Sequence, residues 1–499
     1  MRQAAILTLV AMLAVQLYAV VALSAREPDM DENEYLHAGW LMANGERLYE
    51  TFFEHHSPLF LETLSWLAPR GERVDVRPYF IAARTLCGVF GLIALASYAA
   101  ALWRLRPEAA AIGTALTVAS GPLWVRSFCD VRAETFAIAF FCAGMFIAMR
   151  WRGIAGGIGV GLVAVSGLWQ PKWPLACVVV ALIWLVRSDR RIAGTLAALV
   201  TAVCGVLTVR AIVPLDVWWF FNVEANVVLT RAVITPWVMN AYFKGGVPFL
   251  YVPRQFQLAI VVPAALLLAA SLRFERTVWR ALPLMLFGAA FLEVRFVYPW
   301  PVIWRHYYLM WSLAAAAILA ATPSSIEILL RRTRVGEQLV RAIVTSVTVA
   351  ALLVALAYVI PAVPVRTDAS TFWVSQRYLR ERLRPGDTVW IEALRHPISV
   401  RDAYYYWFSV HQMVSAAQEL RKTPRGRRFL PEPVAFPVCS TPPNFRYTLD
   451  PRRVFLAGAS ECMQRLVDSG RARRTVFFDV YEVGLLKSAP ESSTPKGNR

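Results

Sequence analysis

Long apolar runs alternate with short polar connections over the first 361 residues, after which the pattern changes. The runs lie at about 4–25, 79–102, 109–126, 134–149, 154–169, 174–186, 193–213, 256–272, 281–298, 306–322 and 342–361. A helix needs roughly 20 residues to cross about 30 Å of hydrocarbon, and inside lipid a helix satisfies its own backbone donors and acceptors. The pattern therefore predicts an all-α polytopic membrane protein of about eleven transmembrane helices. The runs at 154–169 and 174–186 are short, which fits tilted, re-entrant or partly interfacial helices. Beyond 361 the periodicity mixes. Phe372 to Leu383 reads as a helix, Arg384-Pro385-Gly386-Asp387 as a turn, and Thr388 to Ile391, Val454 to Ala457 and Thr475 to Leu486 as strands. This predicts a small soluble α/β domain over 362–487 and a disordered tail over 488–499, set against a membrane domain over 1–361.

Composition strengthens the membrane reading. Hydrophobic residues make up 57% of the chain, charged residues 17%, and the mean hydropathy is +0.46, values no single soluble core would need. Basic residues then orient the helices, because Lys and Arg in short loops stay on the cytoplasmic side. Arg104 and Arg106, Arg150 and Arg152, Arg187 to Arg191, Arg273 to Arg280, and Arg331 to Arg334 all fall on one side by parity. Residues 26–78, the aromatic connection 214–255 and the C-terminal domain are expected outside, in an inner (plasma) membrane protein with many passes. The first run has Arg2 before it and Ala22, Ser24 and Ala25 at its end, so it also fits a cleaved signal peptide. A retained helix is preferred because it would hold the next segment at the membrane surface. The net charge of +18 gathers in cytoplasmic loops and in the C-terminal region, which points to lipid and topology, not to nucleic acid. Cys439 and Cys462 share the exported domain, and a disulfide between them is one option.

Candidate chemistry begins where the first run ends. Asp29-Met30-Asp31-Glu32-Asn33-Glu34-Tyr35 is followed by Gly45, Tyr49 and His56-Ser57-Pro58-Leu59. This arrangement resembles the first outer loop of GT-C membrane glycosyltransferases, and within them the branch of protein O-mannosyltransferases and the lipid A aminoarabinose transferase. The motif covers only about residues 28–60. The resemblance implies a GT-C-like fold and an acidic pair that serves catalysis, here Asp31 and Glu32, with Tyr35, Tyr49 and His56 among the substrate-binding residues. Glycosyl transfer needs a base for the acceptor hydroxyl while positive charge develops at the sugar carbon. Asp31 is the expected base and Glu32 its companion, whereas Asp29 and Glu34 read as solvated charges or partners of basic residues. His37, His55 and His56 offer proton transfer, metal ligation or simple packing, so no cofactor is established by the sequence and a divalent cation is left open.

Three further patches lie at predicted outer edges. Arg126, Asp130, Arg132 and Glu134 crowd into nine residues, and ionisable groups so near hydrocarbon need partners or a function. They read either as mutually satisfied ion pairs or as contacts to sugar, phosphate or a cation. Lys172, between Trp169 and Trp173, runs against the basic-inside trend and is a candidate for a lipid phosphate, with interfacial snorkelling as the alternative. Arg305, His306 and Tyr307 open the tenth run and could meet phosphate and sugar. The resemblance, with which these features agree, implies a hexosyl- or pentosyltransferase that moves a sugar from a polyprenyl phosphate donor to a lipid, polysaccharide or protein acceptor on the extracytoplasmic face. A lipid transporter or flippase without transfer activity is the alternative, and it predicts charges deep within several spans and internal symmetry, whereas here the ionisable residues cluster at outer edges and no repeat is apparent.

Overall fold

The computed structural model describes residues 2–233, 258–297, 305–362, 370–433, 447–449, 459–474 and 480–483, apart from 24, 25, 27, 276, 334, 385, 391–395, 403 and 407–409. Helices cover the apolar runs. They are α1 (Arg2–Leu23), then α2 (Met30–Ala43) and α3 (Pro58–Leu67) in the first connection, and α4 (Arg77–Trp103), α5 (Pro107–Ala119), α6 (Pro122–Phe128), α7 (Ala133–Arg150), α8 (Gly153–Trp169), α9 (Pro174–Arg187) and α10 (Arg191–Ile212). A short α11 (Leu215–Trp219) passes through a wider turn into α12 (Ala225–Val233), and α13 (Leu258–Ser271), α14 (Val278–Leu292), α15 (Leu309–Leu330) and α16 (Glu337–Ala362) follow. Among the described residues, α1, α4, α7, α10, α15 and α16 are long and apolar enough to cross a membrane, and α8, α9 and most of α13 are shorter apolar helices. The protein is an integral membrane protein. Leu7 (70% exposed), Ile192 (81%) and Ile360 (76%) stand on helix faces that water would penalise and lipid would not.

The chain gathers into two compact units that do not follow it linearly. The first takes residues 1–26, 55–63 and 80–368, and the second takes 27–54, 64–79 and 369–499. In the first unit α7 and α15 are largely buried while α1, α10 and α16 are peripheral. Close approach of α8 to its neighbours depends on glycine: a Cβ at Gly157 would lie 2.0 Å from the Gly194 carbonyl oxygen on α10, and one at Gly144 on α7 would lie 2.5 Å from the Gly159 oxygen.

The predicted continuous run 109–126 needs correction, because it is two helices. Gly121, at φ +59°, turns the chain between α5 and α6, and Pro122 starts α6 where a missing N–H costs nothing. The broken end is satisfied from α1: the Gln16 amide donates to the Phe128 carbonyl at 2.8 Å and accepts from the Trp124 indole at 2.6 Å. Arg84 on α4 is buried and donates to the Leu23 carbonyl and, at 3.0 Å, to that of Arg26, so a cation closes the C-terminal end of α1.

In the second unit the first connection is not an open loop. Helix α2 and the residues after it bond to the C-terminal segment: the Asn33 amide donates to the His396 carbonyl (3.2 Å), the Phe53 N–H to the Tyr405 carbonyl (2.8 Å) and the Tyr405 hydroxyl to the Tyr49 carbonyl (2.8 Å). Arg401 pairs with Glu46 and, at 3.1 Å, with Glu72. Helices α17 (Ser370–Arg382), α18 (Val410–Leu420), α19 (Pro424–Phe429) and α20 (Ala459–Asp468) accompany four short strands, β1 (Val389–Trp390), β2 (Tyr447–Leu449), β3 (Ala472–Arg474) and β4 (Val480–Val483). The strand order is β1-β2-β4-β3, with β1 parallel to β2 (Val389 opposite Tyr447) and the other pairs antiparallel. The expected strand at Val454 to Ala457, the Cys439–Cys462 disulfide and the tail from 488 lie outside the described residues.

Candidate active-site residues

In the second unit, local sequence builds the acidic helix. Asp29 is the N-cap of α2: its carboxylate accepts the Glu32 N–H at 2.8 Å, and the Glu32 carboxylate accepts the Asp29 N–H at 3.1 Å. This reciprocal capping box fixes where the helix starts. Asp31 and Glu32 then occupy its first turn, where aligned peptide dipoles favour negative charge. Glu32 and Glu34 are buried, and Asp31 is half-buried. Asp29 is thus a cap and Glu34 a buried residue, which corrects the solvated-charge half of the expectation for them; the alternative, pairing with basic residues, stays open. Tyr35 is buried on the same helix. Tyr49 is also buried and sits at φ +67°, a conformation that costs a non-glycine residue energy and that the hydrogen bond from Tyr405 helps to hold.

In the first unit, three separate sequence patches meet. Glu134, in the first turn of α7, is buried, and its carboxylate accepts from the Lys172 ammonium at 2.5 Å and from the Gln170 amide at 3.5 Å. The same ammonium stands over the Tyr307 ring, 4.3 Å from its centroid. Lys172 is itself buried, so it does not snorkel into the interface as an isolated cation. Asp130 is fully buried and paired with Arg26 at 3.0 Å. Arg132 is buried in extended backbone at the N-cap of α7, and Arg126 lies on α6. The start of α3 is anchored by the Ser57 hydroxyl, which donates to the Leu168 carbonyl at 2.7 Å, with His56 beside it against the His55 ring. Tyr307 lies in the turn Arg305–Tyr308 that opens α15; the side chains of Arg305 and His306, and the connection from 234 to 257 with Trp237, Tyr242, Phe243, Lys244 and Arg254, lie outside the described residues.

Two participants were not legible. Gln170 joins Glu134 from the turn before Lys172, and an amide in a Trp-rich turn gives no distinctive signal. Glu293, buried after α14, accepts from the backbone N–H groups of Leu175 (2.5 Å) and Ala176 (3.1 Å) at the start of α9, just after Lys172. A carboxylate inside an apolar run was the available signal. Chemically, the group offers a buried ammonium that a ligand anion could share, beside an aromatic face.

No protein-family model matches the chain, and no curated protein matches it by sequence. Its fold is similar to that of ArnT from Cupriavidus metallidurans bound to undecaprenyl phosphate, with 15% identity over 96% of this chain and 98% of that one and a TM-score of 0.54. The Archaeoglobus fulgidus oligosaccharyltransferase is more distant: in complex with Zn and sulfate it gives 12% identity over 89% of this chain and 67% of that one with a TM-score of 0.49. In its apo form the TM-score is 0.45, and the chain spans 58% of its length.

Proposed function

We propose that this chain is a GT-C-type membrane glycosyltransferase, with about eleven spanning helices and an extracytoplasmic α/β domain. It would transfer a sugar from a polyprenyl phosphate donor to an acceptor on the extracytoplasmic face of the inner membrane. The fold shared with ArnT supports the class, and the observation that carries the reaction is the placement of Asp31: a half-buried carboxylate held in the first turn of a capped helix among buried neighbours. In this reading Asp31 takes the proton of the acceptor hydroxyl as that oxygen attacks the anomeric carbon. The bond from that carbon to the phosphate oxygen breaks with inversion, and the lipid phosphate leaves carrying the negative charge. Lys172 is assigned to that phosphate and Tyr307 to the sugar or phosphate beside it; Glu32 supports Asp31, and Tyr35, Tyr49, His56, Asp130, Arg132, Glu134, Arg305 and His306 shape or bind substrate. Asp31→Asn keeps the shape and removes the base. In purified protein offered a panel of polyprenyl phosphate sugars, it should lower donor consumption by roughly a hundredfold or more while the fold persists. Full activity of that variant, or no donor consumed by the parent protein across the panel, overturns the reading.

A further inference from the structure

Within the second unit, two histidines and an aspartate from separate stretches converge on one point. His37 comes from α2, His396 and Asp402 from either end of the segment that packs on it, and both histidines are fully buried. The Nε2 of His37 lies 2.6 Å from one carboxylate oxygen of Asp402, and the Nε2 of His396 lies 2.5 Å from the other. The ring centroids are 4.0 Å apart, and one donor atom from each residue falls within 4.8 Å of the others.

The opposite side of the His37 ring decides what this contact needs. Its Nδ1 lies 2.8 Å from the Ile398 carbonyl oxygen, which can only accept, so Nδ1 carries a proton. In the neutral ring, Nε2 then presents a lone pair to an anionic oxygen, and two acceptors at that distance need a cation between them. A carbonyl that fixes the far nitrogen of an imidazole is also how metal-binding histidines are oriented. The surrounding loop is itself tied down: the Gln376 amide donates to the His396 carbonyl at 2.7 Å and accepts from the Ile398 N–H at 3.2 Å.

We propose that His37, His396 and Asp402 form a divalent cation site of the zinc type that ties α2 to residues 396–402. Two imidazole nitrogens and a carboxylate are a donor set zinc favours, with water or the second carboxylate oxygen completing a tetrahedron. Zinc–nitrogen bonds of about 2.0–2.1 Å put neighbouring ligand atoms about 3.3 Å apart, so each donor needs to move outward by less than about 1 Å. The inference is independent of sugar transfer, since a chain without transferase activity would bind the ion equally well.

The test uses the full chain purified in detergent, stripped with a chelator and then equilibrated with zinc at micromolar free concentration. About one zinc per chain should be retained, cobalt should give the visible absorption of a tetrahedral site, and zinc should raise Tm by about 2 °C or more. Asp402→Asn and His37→Gln, which keep size and hydrogen bonding, should each weaken zinc binding at least tenfold and remove the cobalt bands. Zinc-edge absorption of the unsubstituted protein should report two imidazoles, which keeps the test decisive if the variants fail to fold. Absence of retained zinc, a spectrum without two imidazoles, or binding unchanged in folded variants overturns the site and leaves a proton-bridged triad.

Discussion

Lys172 and Glu134 are side chains 6% and 2% exposed, and at that depth a lost partner matters more than the pair itself. Removing one member strands a charge in low dielectric, at a cost of about 3 kcal/mol or more, whereas removing both leaves none stranded. Glu134→Gln and Lys172→Met should therefore each lower stability by about 3 kcal/mol, and the double variant should lose clearly less than the sum of the two. Unfolding in detergent across this cycle measures the difference. Lys172 was legible because a cation at a predicted outer edge breaks the charge trend. Glu134 was legible as part of an ionisable patch, but its pairing with Lys172 was not, since that joins residues 38 positions apart through helix packing that no local pattern encodes. Asp29 illustrates the reverse case: Asp-x-x-Glu at 29–32 spells a capping box in the sequence, yet the expected chemistry of the acids drew the reading toward solvated charge.

At the scale of elements, helix existence followed directly from apolar periodicity, and helix interruption did not. Gly121-Pro122 is a strong punctuation signal inside the run 109–126, but the hydrophobicity on both sides masks it. Helices α2 and α3 were missed for a related reason: the pattern there is neither long enough for a span nor polar enough for a loop. Helix packing makes a sharper prediction. Gly157 faces backbone on α10, so Gly157→Val should push α8 from α10 and cut the yield and Tm of folded protein. Gly167, later on the same helix, has nothing within 4 Å of an added Cβ, so Gly167→Ala should be tolerated and gain slightly from lower unfolded-state freedom. Side-by-side thermal unfolding of the two variants checks the contrast.

For the whole molecule, the second unit joins residues 27–54 and 64–79 to residues 369–499. A boundary near 361 was legible as a change in hydropathy, but no sequence signal says that the acidic helix is cored by residues more than 350 positions downstream, because long-range hydrogen bonds such as Asn33 to His396 leave no local mark. Truncation after residue 365 should thus strip α2 of its partners. Limited proteolysis should cut the truncated chain within 27–54 while the full chain resists, and donor consumption should fall with it. Resistance of residues 27–54 in the truncated protein would show that this helix is stable on its own.

That interleaving sets an order of events during synthesis. The acidic helix leaves the ribosome early, but the segment that completes its hydrogen bonds follows 363 to 365 residues later, roughly 20–70 s at usual elongation rates. For that interval the buried residues Glu34, Tyr35 and His37 have no finished interior to enter. Maturation of the proposed catalytic segment is therefore a late, post-insertion step, and an incomplete chain carries α2 without its scaffold.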